Sequence, residues 1–323
     1  MRDPKYLVTG GAGFIGSNLV LSLARAGERL RVVDNLSTGF WENLGPWRDS
    51  AEIDCVDADI RDGAAMALAC SGVEVVFHLA ALGSVPRSVE DPVLSDSVNV
   101  GGTVTLLDAA RRAGVRRLVF SASSAAYGDT AVLPKREDMP TQPLSPYAVT
   151  KVADEHYLTV FAALYGIETV NLRYFNVFGP HQRPDGAYAA AIPKFVWAAL
   201  HDEPITIYGD GETTRDFCFV DNAVSANLLA AAAPRRLQGE IINIAGGRRV
   251  SLNALVTELG RVLGVEPSVV HTDPRPGDVR HSLADIQRAE ALLGYRPEVT
   301  WEQGLPRTVD YLRALGRGRG HAC

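Results

Sequence analysis

The sequence is poor in the features that would mark it for a membrane, a metal or a nucleic acid. Its four cysteines, Cys55, Cys70, Cys218 and Cys323, have neither metal-ligand spacing nor the pattern of a disulfide framework, so we read incidental thiols in a reducing, cytoplasmic compartment. No apolar run approaches the ~20 residues a membrane helix needs, and an apolar strand pattern begins almost at once, which leaves no space for a signal peptide. The formal net charge is −6 and no basic block interrupts it, which argues against nucleic acid, whose phosphates want a cationic footprint. There is no internal repeat, and only residues 316–323 have the composition of a flexible tail. What remains is a globular chain of 323 residues, 46% of them hydrophobic, long enough for one large core or two moderate ones.

The first thirty residues carry the strongest local signal. Lys5-Tyr6-Leu7-Val8-Thr9 passes through Gly10-Gly11-Ala12-Gly13-Phe14-Ile15-Gly16 into a helical pattern over residues 17–26. In such a strand–turn–helix unit, Gly10 permits the tight turn, Gly13 lets backbone approach a pyrophosphate and Gly16 allows close helix packing, while the helix N-terminus faces the negative charge. A second strand over residues 30–33 ends in Asp34, ~20 residues beyond the glycines, where a carboxylate accepts both ribose hydroxyls of an adenosine and repels a 2′-phosphate. NAD is therefore favoured over NADP.

Strand and helix then alternate. A third strand over residues 51–57 is followed by Asp59 and Ile60, with Asp59 either an acceptor for the adenine amino group or the cap of a helix beginning near Arg61. An apolar strand over residues 73–79 leads into small residues that let backbone run beside a cofactor. A long helix over residues 91–114 carries Asn99, and the strand over 117–121 exits through Ser121, Ser123 and Ser124. A helix over 146–165 and a strand over 168–172, ending in Tyr174 and Asn176, complete the alternation. This rhythm predicts an α/β fold with a doubly wound, Rossmann-type parallel sheet over residues 1–176. From residue 177 to 315 the rhythm breaks into shorter strands, a helix over 188–200 and turn-rich loops. That predicts a smaller mixed α/β substrate-binding region, with room for the chain to cross back into the sheet near 205–245.

Ser145-Pro146-Tyr147-Ala148-Val149-Thr150-Lys151 places a phenol and an ammonium one helical turn apart. A nearby cation favours the phenolate, so Tyr147 could serve as a base near neutral pH; the same spacing also occurs by chance on many amphipathic helices.

Together these segments resemble the extended short-chain dehydrogenase/reductase enzymes of the NAD-dependent epimerase/dehydratase family. The resemblance rests on the glycine turn, Asp34-Asn35-Leu36-Ser37-Thr38-Gly39, His78-Leu79-Ala80-Ala81, Tyr147 with Lys151, Leu172-Arg173-Tyr174-Phe175-Asn176, and Gly209-Asp210-Gly211 with Arg215-Asp216-Phe217, all in family order. Ala81-Leu82-Gly83-Ser84-Val85-Pro86-Arg87-Ser88, Pro143-Leu144 running into the Tyr147 segment, and Gly277-Asp278-Val279-Arg280-His281-Ser282 are most similar to UDP-N-acetylglucosamine 4-epimerases.

The resemblance implies roles. Tyr147 is the expected base, Lys151 binds nicotinamide ribose and lowers the phenol's pKa, and Ser123 hydrogen-bonds the sugar O4. Cofactor contacts are implied for Gly10, Gly13, Phe14, Ile15, Gly16, Asp34, Asn35, Ser37, Thr38, Gly39, Asp59, Ile60, Leu79, Ala80, Ala81, Asn99, Ser121 and Tyr174. Substrate contacts are implied for Ser84, Ser124 and Asn176, with Arg215 and Arg275 on the diphosphate and Asp278 near uridine; guanidinium forks suit those oxygens, though each arginine also reads as a solvated surface charge. Ser282 stands where relatives restricted to UDP-glucose carry a bulky aromatic side chain, so room for a 2-acetamido group is expected, with ordinary loop variation as the alternative.

The implied activity is C4 epimerisation of UDP-N-acetylglucosamine and UDP-N-acetylgalactosamine through a 4-keto sugar, with UDP-glucose and UDP-galactose also admitted, in a homodimer without metal. Ser124-Ala125 replaces the acidic pair of dehydratase relatives. A UDP-glucuronate 4-epimerase shares nearly every motif, and an NAD-binding scaffold is the non-catalytic alternative.

Overall fold

The computed structural model describes residues 4–184, 190–274 and 279–319. Its centre is a seven-stranded sheet in which every pairing is parallel. Strands β1 (Tyr6–Thr9), β2 (Leu30–Asp34), β3 (Ile53–Asp57), β4 (Val75–His78), β5 (Arg117–Ser123) and β6 (Glu168–Tyr174) are joined by the strand Gln238–Ile244, in the order Gln238–Ile244, β6, β5, β4, β1, β2, β3. Strands buried on both faces need apolar side chains at successive positions, and Leu7, Val8, Val75, Val76 and Phe77 supply them. The order reverses between β1 and β4, and ligands of such sheets bind outside the strand carboxyl ends at that switch point.

Helices cover both faces. They are α1 (Phe14–Arg25), α2 (Gly63–Cys70), α3 (Val85–Glu90), α4 (Pro92–Asp96), α5 (Gly102–Arg112) and α6 (Pro146–Tyr165), with Val220–Ala232 packed beside α1. Local chemistry sets both ends of α6: Ser145 Oγ accepts from Ala148 N at 3.2 Å, Pro146 fills the first turn, and Gly166 ends the helix at φ +73°.

The helix expected over residues 91–114 is present over residues 92–112: Asp91 caps its start, and α4, a π-turn over Ser97–Gly101 and α5 follow one another without a break. Asp59 does not cap a helix, because α2 starts at Gly63 with Asp62 Oδ1 accepting from Ala64 N and Ala65 N. Residues 316–319 belong to the helix Trp301–Arg319, where Gly316 lies beside Trp197 and His201, and the rest of the expected tail lies outside the described residues.

The smaller region is mixed α/β. Short strands pair as Val177–Phe178 with Cys218–Phe219, Thr214–Asp216 with Arg249–Ser251, and Ile205–Tyr208 with Val269–Thr272. Helices Ala191–Leu200, Leu252–Leu263 and Trp301–Arg319 close over them around a core that includes Phe178, Phe195, Phe217, Phe219 and Leu305. Among the described residues no helix is long and apolar enough to cross a membrane.

Candidate active site

A cleft of about 500 Å³ runs along the carboxyl ends of β1, β2 and β4. Gly10 turns the chain at φ +70°, and a Cβ there would lie 2.6 Å from Ala80 N; one on Gly16 would lie 2.1 Å from Gly10 O. Glycine is required at both places by contact, and α1 begins with no side chain capping its N-terminus, so its free N–H groups suit an anion. Gly13, Phe14, Ile15, Asn35, Ser37, Thr38, Ile60, Leu79, Ala80, Ala81 and Ser121 line the cleft together with Asp34. Asp34 accepts from Ala12 N at 3.0 Å and Leu36 N at 2.8 Å; burial nevertheless raises its carboxyl above the ordinary value. Gly39 has no room for a side chain, since its Cβ would lie 2.9 Å from Asp34 Oδ2. An elongated dinucleotide fits this cradle: glycine backbone where a pyrophosphate passes and a carboxylate at the end of β2.

Phe14, Ile15, Gly83, Ser121 and Gln182 also line a second cleft of about 460 Å³. Its walls carry Ser123, Ser124, Tyr147, Tyr174, Asn176, Arg215 and Ser282. The Tyr147 phenol is held above its ordinary value, first by burial and then by Asp154, while the Ser123 hydroxyl beside it opposes the rise. In the chain alone, burial prevails over the Ser123 hydroxyl in setting this phenol. Lys151 is 3% exposed; its Nζ donates to Ser121 O at 3.0 Å and lies 4.5 Å from the Phe120 ring centroid. Burial lowers its pKa, against the attraction of Asp154 and Glu155.

Asn176, Val177 and Arg215 are shared in turn with a third cleft of about 520 Å³. Phe195, Trp197, Tyr208 and Phe217 give it aromatic walls, and Lys194 adds a charge. The three clefts form a series with the Tyr147 phenol in the middle one.

A family model, the NAD dependent epimerase/dehydratase family, matches residues 6–245. The chain belongs to this family. It is 41% identical over 311 residues to the UDP-glucose 4-epimerase of Mycolicibacterium smegmatis, spanning 96% of this chain and 98% of that one. Among solved structures, it is similar to UDP-N-acetylglucosamine 4-epimerase from Methanobrevibacter ruminantium M1 in complex with UDP-N-acetylmuramic acid, at 38% identity and a TM-score of 0.92, covering 98% of this chain and 100% of that one. It is also similar to UDP-glucose 4-epimerase from Thermotoga maritima with UDP-glucose, at 39% identity and a TM-score of 0.90 over 96% and 99% of the two chains.

Several residues of this epimerase/dehydratase chain sit differently from expectation. Asn99 is 1% exposed and is committed to protein: Oδ1 accepts from Leu82 N at 2.8 Å, and Nδ2 donates to Leu82 O at 3.3 Å and Thr150 Oγ1 at 3.0 Å. It braces the cleft wall through Leu82. Asp59 is held by Arg61 through bonds of 2.9 and 2.7 Å and by Asn35 at 3.0 Å, which keeps its carboxyl well below the usual range. Ser84 lines the cofactor cleft rather than the middle one, and its hydroxyl caps α3. Tyr174 reaches the middle cleft, with its hydroxyl turned away to Asn227 at 2.6 Å. Arg275 and Asp278 lie outside the described residues. The sequence did not single out Phe195, Tyr208 and Lys194, because aromatic wall residues in a short helix and strand look like ordinary core positions and a lone lysine like a surface charge; the helix Ala191–Leu200, apolar but for Lys194, was the available signal.

Proposed function

We propose that this chain is an NAD-dependent UDP-hexose 4-epimerase that interconverts UDP-N-acetylglucosamine and UDP-N-acetylgalactosamine and also accepts UDP-glucose and UDP-galactose. One observation carries the reading: Tyr147 and Ser123 share the wall of a cleft of about 460 Å³ that adjoins the dinucleotide cradle on one side and an aromatic-walled cleft on the other. Ser282, a small residue 9% exposed, lines that middle cleft, which supports room for a 2-acetamido group. A permissive volume admits the smaller sugar as well.

When bound, NAD supplies reversible two-electron oxidation at the sugar C4 together with a ring cation. Tyr147 Oη takes the O4 proton as the carbinol becomes a ketone and returns it after the sugar has turned over, so that the opposite face is reduced. Ser123 donates to O4 in either orientation. Lys151 is the cation that the chain itself sets one turn from the phenol, and the phenol needs such a charge because burial disfavours its anion. Asn176 and Arg215, shared by the middle and aromatic clefts, suit the diphosphate, and Phe195 and Tyr208 suit the base. Remote anchoring of the nucleotide leaves the hexose free to rotate while the ketone exists.

UDP-glucuronate is a second substrate reading, favoured by Lys135. That residue is 2% exposed, lines the middle cleft, donates to the Thr130 carbonyl and has no ion pair among the described residues. The protein is proposed to act as a homodimer, supported by exposed Val149, Val160 and Leu164 on α6 beside Val89 and Val93.

The test is incubation of purified protein with each UDP-sugar separately, without added reductant, and NMR detection of the C4 epimer. An equilibrium mixture from UDP-N-acetylglucosamine supports the reading. Conversion of UDP-glucuronate alone replaces the substrate, and no conversion of any sugar removes the enzyme.

A further inference from the structure

Helix α6 presents Tyr147, Lys151, Asp154, Glu155 and Leu158 to the interior, spaced along one stripe. Two of the three charged residues beyond Tyr147 have an obvious account. Glu155 holds Arg173 of β6 through two bonds of 2.7 Å, a closed pair with both partners 3% exposed or less. Lys151 is the cation required by the chemistry proposed above. Asp154 has no such account: it is 0% exposed and neither carboxylate oxygen has a hydrogen-bond partner. A buried carboxylate left unbonded is costly, so its presence calls for an electrostatic reason.

The surroundings supply one. Lys151 is as buried as Asp154, and its ammonium meets only a carbonyl and an aromatic face, with no direct ion pair among the described residues. A buried ammonium without a counter-charge sheds its proton. Across from Asp154, the Thr103 hydroxyl of α5 is engaged with Asn99 O at 2.5 Å and His78 Nε2 at 2.9 Å; it still favours the ionised carboxylate, second to Lys151. His78 of β4 is neutral, since burial and then Lys151 push it down to about 3. Asp96 of α4 and Glu155 both repel the Asp154 charge, and Arg173 is spent on Glu155. Burial lifts the Asp154 carboxyl to about 7, against the attraction of Lys151. Of the charges that face it, Lys151 is the one that stabilises its ionised form.

We propose that Asp154 is a positioning residue for the base, the buried counter-charge that keeps Lys151 protonated one turn from Tyr147. The proposal rests on the assignment of Tyr147 and Lys151 above. It has a cost built in, because the same negative charge also raises the phenol. Asp154 therefore exchanges some acidity of Tyr147 for a Lys151 that stays charged across the working pH range.

Asp154→Asn keeps the shape and removes the charge. In the holoenzyme, the alkaline limb of kcat against pH should move down by one unit or more as Lys151 loses its counter-charge, with KM within about twofold of wild type. A superimposable alkaline limb would overturn the proposal. A thermal-melting cycle gives a readout that needs no activity: Asp154→Asn in the wild-type background should lower Tm, whereas in a Lys151→Met background, where the carboxylate is the unpaired charge, it should leave Tm unchanged or raise it. Equal losses in both backgrounds would assign Asp154 a packing role only. Because the cycle reads charge pairing whatever the reaction, an inactive wild type would count against the epimerase reading and leave the Asp154 result standing.

Discussion

At the scale of single residues, two side chains decide how the proposed chemistry responds to substitution and pH. Tyr147 is the group from which the O4 proton path starts, so Tyr147→Phe should reduce epimerisation by about 10²–10⁴-fold, the usual worth of a positioned acid–base group, while UDP binding measured by calorimetry stays near wild type. Near-normal turnover would remove Tyr147 as the base. His78 answers to pH through stability. Its ring nitrogens pair with Thr9 Oγ1 at 2.7 Å and Thr103 Oγ1 at 2.9 Å, and burial depresses its pKa from 6.5 to about 3. The unfolded chain therefore takes up a proton that the native chain refuses. The stability due to this group is fully present above its ordinary pKa and is lost as pH falls toward about 3. The stability gap between wild type and His78→Gln should accordingly narrow on acidification, by up to about 1.4 kcal/mol per pH unit. Parallel melting curves from pH 7 to pH 4 measure it; a constant gap would mean that His78 titrates in the fold as it does in the unfolded chain.

At the scale of elements, the π-turn Ser97–Gly101 shows what lay outside the reach of sequence. The ends of α6 were legible because Ser145, Pro146 and Gly166 act on their own neighbours, and the glycine turn before α1 was legible because Gly16 answers to Gly10 and Gly11 within the same strand–turn–helix unit, although Gly10 itself answers to Ala80. The π-turn depends on partners that are remote in the chain. Its Asn99 joins Leu82, in the cofactor-cleft wall, to Thr150, whose hydroxyl donates to Tyr147 O at 2.8 Å. From periodicity alone residues 91–114 read as one helix, because a π-turn preserves helical spacing to within one position. The cap of α2 misled for a related reason: Asp59 and Asp62 both stand at plausible cap positions, and only the pairing of Asp59 with Arg61 separates them. Asn99→Leu should leave the Leu82 N–H and carbonyl unpaired, at about 1–3 kcal/mol for a buried polar group, and should weaken NAD binding because Leu82 and its neighbours line that cleft. Thermal melting and NAD titration together test this; lost stability with unchanged NAD affinity would confine Asn99 to the fold.

At the scale of the whole molecule, the stripe that α6 buries has a counterpart on its outer face. Val149 is 52% exposed, Val160 48% and Leu164 70%, with Tyr157 at 41% between them. At 100° per residue these four fall within one arc of the helix. Alongside them α3 and α4, both packed on α6, expose Val89 at 63% and Val93 at 79%. Scattered exposed apolar residues need no explanation, but a contiguous set on adjacent helices points to a covered surface, and a two-fold axis through it would set the α4 and α6 of each copy against those of the other. The consequence for the active site is mechanical, because Tyr147 and Lys151 lie on the same helix as Val149 and Val160. Ser88 of α3, whose hydroxyl donates to Val85 O at 2.6 Å, accepts from Tyr147 N at 3.0 Å and so ties α3 to the helix that carries the base. Val160→Asp combined with Leu164→Asp should shift sedimentation from dimer to monomer, since two charges would have to be desolvated in each copy, and should lower kcat more than the affinity for UDP, whose proposed cleft lies in the other region. A double variant that stays dimeric would move the contact elsewhere, and a monomer with full kcat would separate assembly from catalysis.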